Sequence, residues 1–149
     1  MLWWDDKFPE IASTAGIGID MYERFVDDSN LVSEVIEPGW RFSKDTRKLN
    51  FEEDWVPQDR TMDDDKRTAL VIKEVANSVH PMIQMEEDDP SNHDDGNIPI
   101  LDLKCWLEEE GKIRFQHYAK WPANLSCQLV QPCQPNKRKI FTSMNVLED

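Results

Sequence analysis

Apolar positions recur every three or four residues in the middle of the chain, the spacing that places side chains along one face of a helix. Thr61 followed by Asp64 resembles a capping box, and Pro81 disfavours helix beyond the pattern. The sequence therefore predicts a helix over Met62–Ser78. Its stripe consists of Thr68, Val71, Ile72, Val75, Ala76 and Val79.

Strand-like segments precede this helix. Tyr22–Val26 and Leu31–Ile36 are rich in β-branched, aliphatic and aromatic residues, and Asp27–Asn30 between them have the short polar side chains that favour tight turns. The pattern predicts a β-hairpin with two carboxylates at its tip. A short helix is expected to begin at Ile11 and to lead into an extended segment at Ile19.

Three further extended segments are predicted after the central helix, at Met82–Glu86, Ile98–Leu107 and Lys112–Tyr118. In the last of them apolar and polar residues alternate with the two-residue period of a strand. Strands that follow a helix and are joined by short turns indicate an antiparallel sheet, so the predicted fold class is α+β. Residues 123–149 lack such a pattern, and we expect them to form a poorly ordered C-terminal tail.

Charge narrows the possible functions. The 149 residues fit one domain, and 17 Lys and Arg against 30 Asp and Glu give a formal net charge of −13. This charge excludes a protein that coats nucleic acid through a basic surface. Two acidic segments interrupted by proline, Glu52–Asp65 and Glu86–Gly96, are expected to be exposed loops. The basic residues are densest at Lys137–Lys139.

Cysteines and hydropathy indicate the compartment. Cys105, Cys127 and Cys133 have irregular spacing without a Cys-x-x-Cys motif, so neither a zinc finger nor a disulfide framework is predicted. No apolar run approaches the roughly 18 residues of a membrane span, and the first residues lack the features of a signal peptide. We expect an intracellular protein of the cytoplasm or nucleus with no membrane partner.

Several pairs of adjacent aspartates occur, but only Asp27-Asp28 is bracketed by hydrophobic strand-like segments. At a hairpin tip both carboxylates can project outward, and they repel each other unless a cation lies beside them. Mg²⁺ typically takes one or two protein carboxylates together with substrate phosphates, as phosphoryl transfer requires. On spacing alone, an ordinary acidic turn remains the alternative.

Phe25-Val26-Asp27-Asp28 resembles the aromatic-x-Asp-Asp box, motif C, of reverse transcriptases. The similarity continues downstream, where Ile98–Leu103, Gly111-Lys112 and Tyr118–Pro122 follow in the order found after motif C in Penelope-like and related retroelement polymerases. The resemblance extends over residues 20–122.

This resemblance implies that residues 1–122 are a partial reverse transcriptase palm subdomain. The reaction of the intact family member would be template-directed nucleotidyl transfer from dNTPs, with Mg²⁺ or Mn²⁺ as cofactor. Asp27 and Asp28 would be catalytic residues and metal ligands, and Phe25 and Lys120 would contact the template–primer. Only 26 residues precede Asp27, too few for the fingers and the first catalytic strand, so the chain is expected to be an inactive fragment by itself.

A second hypothesis belongs to a different class. The chain could be a small acidic interaction module without catalytic activity. Its hairpin sheet and acidic loops would then bind a basic partner. The response of the Asp27-Asp28 pair to divalent cations distinguishes the two hypotheses.

Overall fold

The computed structural model describes residues 2–25, 28–100, 103–108, 113–117, 124–127 and 139–146. The helices are α1 (Leu2–Ala15), α2 (Val56–Asp59) and α3 (Asp64–Asn77), with 3₁₀ turns at Glu53–Trp55 and Pro90–Asn92. The strands are β1 (Ile19–Phe25), β2 (Asp28–Glu34), β3 (Trp40–Ser43), β4 (Lys48–Phe51), β5 (Met85–Asp88), β6 (Ile98–Ile100), β7 (Leu103–Leu107), β8 (Ile113–His117), β9 (Asn124–Cys127) and β10 (Lys139–Val146).

The described strands form three antiparallel sheets. The central sheet has the order β1-β2-β10-β5, the second sheet has the order β6-β7-β8-β9, and β3 and β4 form a separate hairpin. Helices together with antiparallel sheets give an α+β protein, which confirms the predicted fold class.

The central sheet is covered on both faces. Leu31 of β2 and Met144 of β10 pack with α1 and α3 on one face. Val32 of β2 and Phe141 of β10 lie an odd number of positions from Leu31 and Met144, so they face the other way and pack against the second sheet. Cys105 belongs to this second cluster, and burial raises the pKa of its thiol to about 12.

Helix α1 begins at Leu2 rather than at the predicted Ile11. Acidic residues and an internal proline interrupt its apolar pattern, which explains why the sequence analysis missed its first half. The helix ends in a Schellman motif, in which the Ile17 N–H donates to the Ala12 carbonyl at 3.0 Å and Gly16 has a φ of 103°. Its buried residues are Trp4, Phe8, Ile11, Ala12 and Ala15.

The central helix predicted over Met62–Ser78 is confirmed as α3, and its apolar stripe is buried as expected. The predicted capping box is wrong, however. The residue that precedes the helix is Asp63, and the Thr61 hydroxyl instead donates to the Gln58 carbonyl at 2.6 Å. The preceding α2 ends so close to α3 that Thr61 belongs to the connecting turn.

The predicted hairpin is formed by β1 and β2, but its connection is shorter than expected. Phe25 pairs with Asp28, and Asp28–Asn30, predicted as turn residues, are already part of β2. Pairing with β10 on the other side extends β2 through these polar positions. Val26 and Asp27 lie outside the described residues.

The two acidic segments are not simply exposed loops. Asp59 is fully buried and accepts hydrogen bonds from the Arg41 guanidinium and, at 2.7 Å, from the Gly39 N–H. Asp89 is also fully buried, 3.4 Å from the Lys66 ammonium. The prediction is wrong for these two carboxylates because each neutralises a cation from another element.

Other segments differ from the sequence analysis in their connectivity. Ile98–Leu107, predicted as one strand, comprises β6 and β7, which pair with each other. The β3–β4 hairpin was not predicted. Residues 139–146, assigned from sequence to a poorly ordered tail, form β10 between β2 and β5, where Ile140, Phe141 and Met144 are buried.

Candidate functional site

Asp28 is the first residue of β2, and the register of the central sheet defines its neighbours. It pairs with Asn145 of β10, which in turn pairs with Glu86 of β5. Directly opposite residues of antiparallel strands share a face, so these three residues form a row across the sheet. Val32 lies an even number of positions from Asp28 and contacts the second sheet, which places the row on that face.

A second polar row lies two residues further along the strands. Asn30 pairs with Glu23 and Ser143, and Ser143 pairs with Asp88. Asn30 is only 1% exposed, and neither its side-chain oxygen nor its nitrogen has a hydrogen-bond partner within the described part of the chain. An unpaired buried amide lowers the free energy of unfolding by roughly 1–3 kcal/mol, so Asn30 destabilises the fold at this position.

The opposite face of β1 is attached to α1 by a hydrogen-bonded ion pair. Asp5 accepts from Arg24 Nη2 at 2.6 Å, from Arg24 Nε at 3.0 Å and from the Tyr22 hydroxyl at 2.6 Å. The Arg24 guanidinium also lies 5.8 Å from the centre of the Trp4 ring. The network therefore fixes the C-terminal end of β1, which precedes Asp27 and Asp28 in the sequence, to α1 on the helical face of the sheet.

The pKa values in this network favour the charged pair. Burial opposes ionisation of Asp5, but the hydrogen bonds from Arg24 and Tyr22 outweigh it and hold the pKa of the carboxyl below its usual value. Burial, with the hydrogen bond to Asp5, raises the pKa of Tyr22. Asp5 is therefore an anion and Tyr22 a neutral donor throughout the physiological range.

The structure describes only part of the predicted site. Asp28 lies at the start of β2, and the backbone of Phe25 pairs with it. Asp27, Lys120 and the side chain of Phe25 lie outside what the structure describes. The prediction that these four residues share one site therefore stays a prediction.

The residues beside Asp28 have the chemistry of ligands for a hard cation. Neighbouring strands lie about 4.8 Å apart, so the register places the Asn145 amide beside the Asp28 carboxylate and Glu86 one strand further. Among the described residues, no group of three or more His, Cys, Asp or Glu could hold a metal ion. Carboxylate and amide oxygens are ligand types that Mg²⁺ and Mn²⁺ accept.

Adjacent aspartates elsewhere have structural partners. His93 Nε2 lies 2.9 Å from both carboxylate oxygens of Asp88, and Asp89 faces Lys66. Asp95 contacts the Lys104 ammonium at 3.0 Å. These acidic residues fix loops and strands to one another rather than converging on a shared site.

No sequence pattern pointed to Glu86 and Asn145. Their place beside Asp28 depends on the register of β10 against β2 and β5, which pairs residues far apart in sequence. The buried run of β10, from Ile140 to Met144, has no apolar–polar alternation, because Thr142 and Ser143 separate its apolar residues.

No protein-family model, curated protein or solved structure matches the chain. Within the described ranges, no helix is long and apolar enough to cross a membrane.

Proposed function

We propose that this chain is part of the palm of an RNA-directed DNA polymerase, a reverse transcriptase of a mobile element. The observation that carries the proposal is the pairing of Phe25 with Asp28, the first residue of the inner strand β2. The polar row beside Asp28 and the helical layer behind the sheet add support. The motif resemblance supplies the identity of the reaction.

In this proposal Asp27 and Asp28 are the catalytic metal ligands. Bound Mg²⁺ or Mn²⁺ would supply charge neutralisation for the dNTP phosphates and for the oxygen at the growing end. The Asn145 amide would orient the Asp28 carboxylate from the adjacent strand. Phe25 and Lys120 would contact the template–primer, and the reaction would take place in the cytoplasm or nucleus.

A metal titration followed by NMR tests the proposal. Millimolar Mg²⁺ or Mn²⁺ is expected to perturb the signals of Asp27, Asp28 and Asn145 before those of other acidic residues. Asp28→Asn should abolish this response. Asp94→Asn, which removes one exposed carboxylate from another aspartate pair, should leave it unchanged.

The acidic interaction module remains the second candidate, favoured by the net charge of −13 and by the exposed carboxylates of Glu52, Glu53 and Asp54. Metal shifts of equal size at all acidic loops, insensitive to Asp28→Asn, would contradict the polymerase proposal and support this module. Binding of a basic polypeptide, weakened by charge reversal at Glu52 and Glu53, would identify its surface.

A further inference from the structure

A polar cleft lies between the turn that joins β3 to β4 and the C-terminal end of α3. Its volume is about 330 Å³. It is lined by Lys44, Arg47, Asn77, Ser78, Pro81 and Gln84. Two cations and neutral groups therefore line this space, and none of the lining residues carries a negative charge.

The cations of this turn have no ion-pair partner in the part of the chain that the structure describes. Lys44, Arg47 and the adjacent Lys48 are exposed and take part in no ion pair among the described residues. In contrast, Arg24, Arg41 and other cations of the protein contact carboxylates. The charge of this group is opposite in sign to the net charge of −13 of the whole chain.

The end of α3 does not need these cations as caps. The Ser78 hydroxyl donates to the Val75 carbonyl at 2.6 Å, and the Val79 N–H donates to the Ala76 carbonyl at 3.3 Å. The Asn77 amide is bonded to the backbone of Met85 at both its oxygen and its nitrogen. The helix end is thus satisfied without Lys44 or Arg47.

We propose that this cleft binds a phosphodiester group of a nucleic acid strand. The planar guanidinium of Arg47 can donate two hydrogen bonds to a phosphate, and the Lys44 ammonium adds a second charge. Lys48 lies outside the cleft and continues the positive charge, which suits a chain of phosphates better than a single small anion. Asp45 lies in the same turn, so Lys44, Asp45, Arg47 and Lys48 together carry a net charge of +2 within a chain of net charge −13. The acidic surface elsewhere disfavours contact with a nucleic acid strand.

The proposal does not rest on the proposed polymerase function. The β3–β4 hairpin packs through Phe42 on the helical face of the central sheet, whereas Asp28 belongs to the face against the second sheet. A phosphate bound at the turn would therefore be held on the side opposite Asp28. Metal binding at Asp28 and nucleic acid binding at Lys44 and Arg47 can accordingly fail independently.

Fluorescence anisotropy of a labelled single-stranded 20-mer DNA, titrated with salt, tests the cleft. The double variant Lys44→Gln with Arg47→Gln should bind the DNA at least about tenfold more weakly at low salt. The salt slope, the slope of the logarithm of the binding constant against the logarithm of the salt concentration, should fall in magnitude by about 1.4, because each phosphate contact on a single strand contributes about 0.7. The control Lys7→Gln with Arg60→Gln changes the net charge equally outside the cleft and should retain the slope.

Three results would overturn the inference. The first is that the labelled DNA does not bind at low salt, and the second is that both double variants lose the same amount of binding. The third is that polyglutamate displaces the labelled DNA as effectively as unlabelled DNA does, which would assign the cleft to acidic polypeptides. Lys44→Arg with Arg47→Lys keeps both charges and should preserve most of the binding. Unchanged thermal melting of the variants would separate loss of binding from loss of folding.

Discussion

Asp5 and Arg24 form a two-point ion pair that joins the first turn of α1 to the end of β1. Tyr22 donates a third hydrogen bond to the same carboxylate. The contact joins α1, which packs on the helical face of the central sheet, to β1, an edge strand of that sheet. The network therefore fixes the C-terminal end of β1 to α1.

Asp5→Asn should lower the free energy of unfolding by about 1–3 kcal/mol, because it leaves Arg24 and Tyr22 with a weaker acceptor. Urea denaturation followed by circular dichroism measures the change. Asp6→Asn is the matched control, since Asp6 is exposed, and its effect should stay within about 0.5 kcal/mol. Equal effects of the two variants would contradict a specific role for the Asp5 pair.

Acid should destabilise the protein through Asp59. The hydrogen bond from Arg41 holds the pKa of the Asp59 carboxyl below its usual 3.8, with burial opposing and the Gly39 N–H assisting. As the pH falls below about 4, the unfolded chain takes up the proton first, so this contribution to stability is present above that pH and lost below it. Urea midpoints between pH 7 and pH 3 measure the loss.

Asp59→Asn should cost about 2–4 kcal/mol at neutral pH, because Arg41 loses its buried anionic partner. The same variant should lose less stability than the wild type on acidification, since it lacks this titrating group. Asp54→Asn, which changes an exposed carboxylate of the same segment, should preserve the wild-type pH dependence. A steep acid transition that persists in Asp59→Asn would locate the effect elsewhere.

Asn30→Leu should raise the free energy of unfolding by about 1 kcal/mol. The substitution replaces a buried amide, unpaired within the described residues, by an apolar group of similar shape. Asn50→Leu, at an exposed strand position, should change stability by less than about 0.5 kcal/mol. Destabilisation by Asn30→Leu would instead indicate that the amide has a bound partner in solution.

Gly39→Ala should destabilise the protein more than Gly16→Ala. Both glycines have positive φ, 94° and 103°, which costs a residue with a side chain about 1–2 kcal/mol. A methyl group on Gly39 would also lie 2.6 Å from the Phe51 ring, whereas Gly16 has open space around it. Chemical denaturation of both variants checks the difference, and equal costs would show that Phe51 moves aside freely.

The elements that could be predicted from sequence were those with local, regular patterns. Helix α3 has an uninterrupted stripe, and β8 alternates apolar with polar residues, so both lie close to their predicted positions. The first half of α1 was missed because it contains Asp5, Asp6 and Pro9, which weaken a helical pattern although Trp4 and Phe8 anchor it.

The arrangement beside Asp28 could not be predicted because it is set by strand order. The hairpin was visible in the sequence, but nothing local in the chain indicates that β10 follows β2 in the sheet. The buried charge of Asp59 could not be predicted either, because its partners Arg41 and Gly39 lie about 20 residues earlier in the chain and only the fold brings them to it.

The position of β10 has a consequence for synthesis. Glu34 pairs with Lys139, so roughly a hundred residues leave the ribosome between the emergence of one partner and that of the other. During this interval the free side of β2, with its hydrophobic Leu31 and Val32, is an open template for another nascent chain. Chaperone capture at this stage would protect the emerging polypeptide from aggregation.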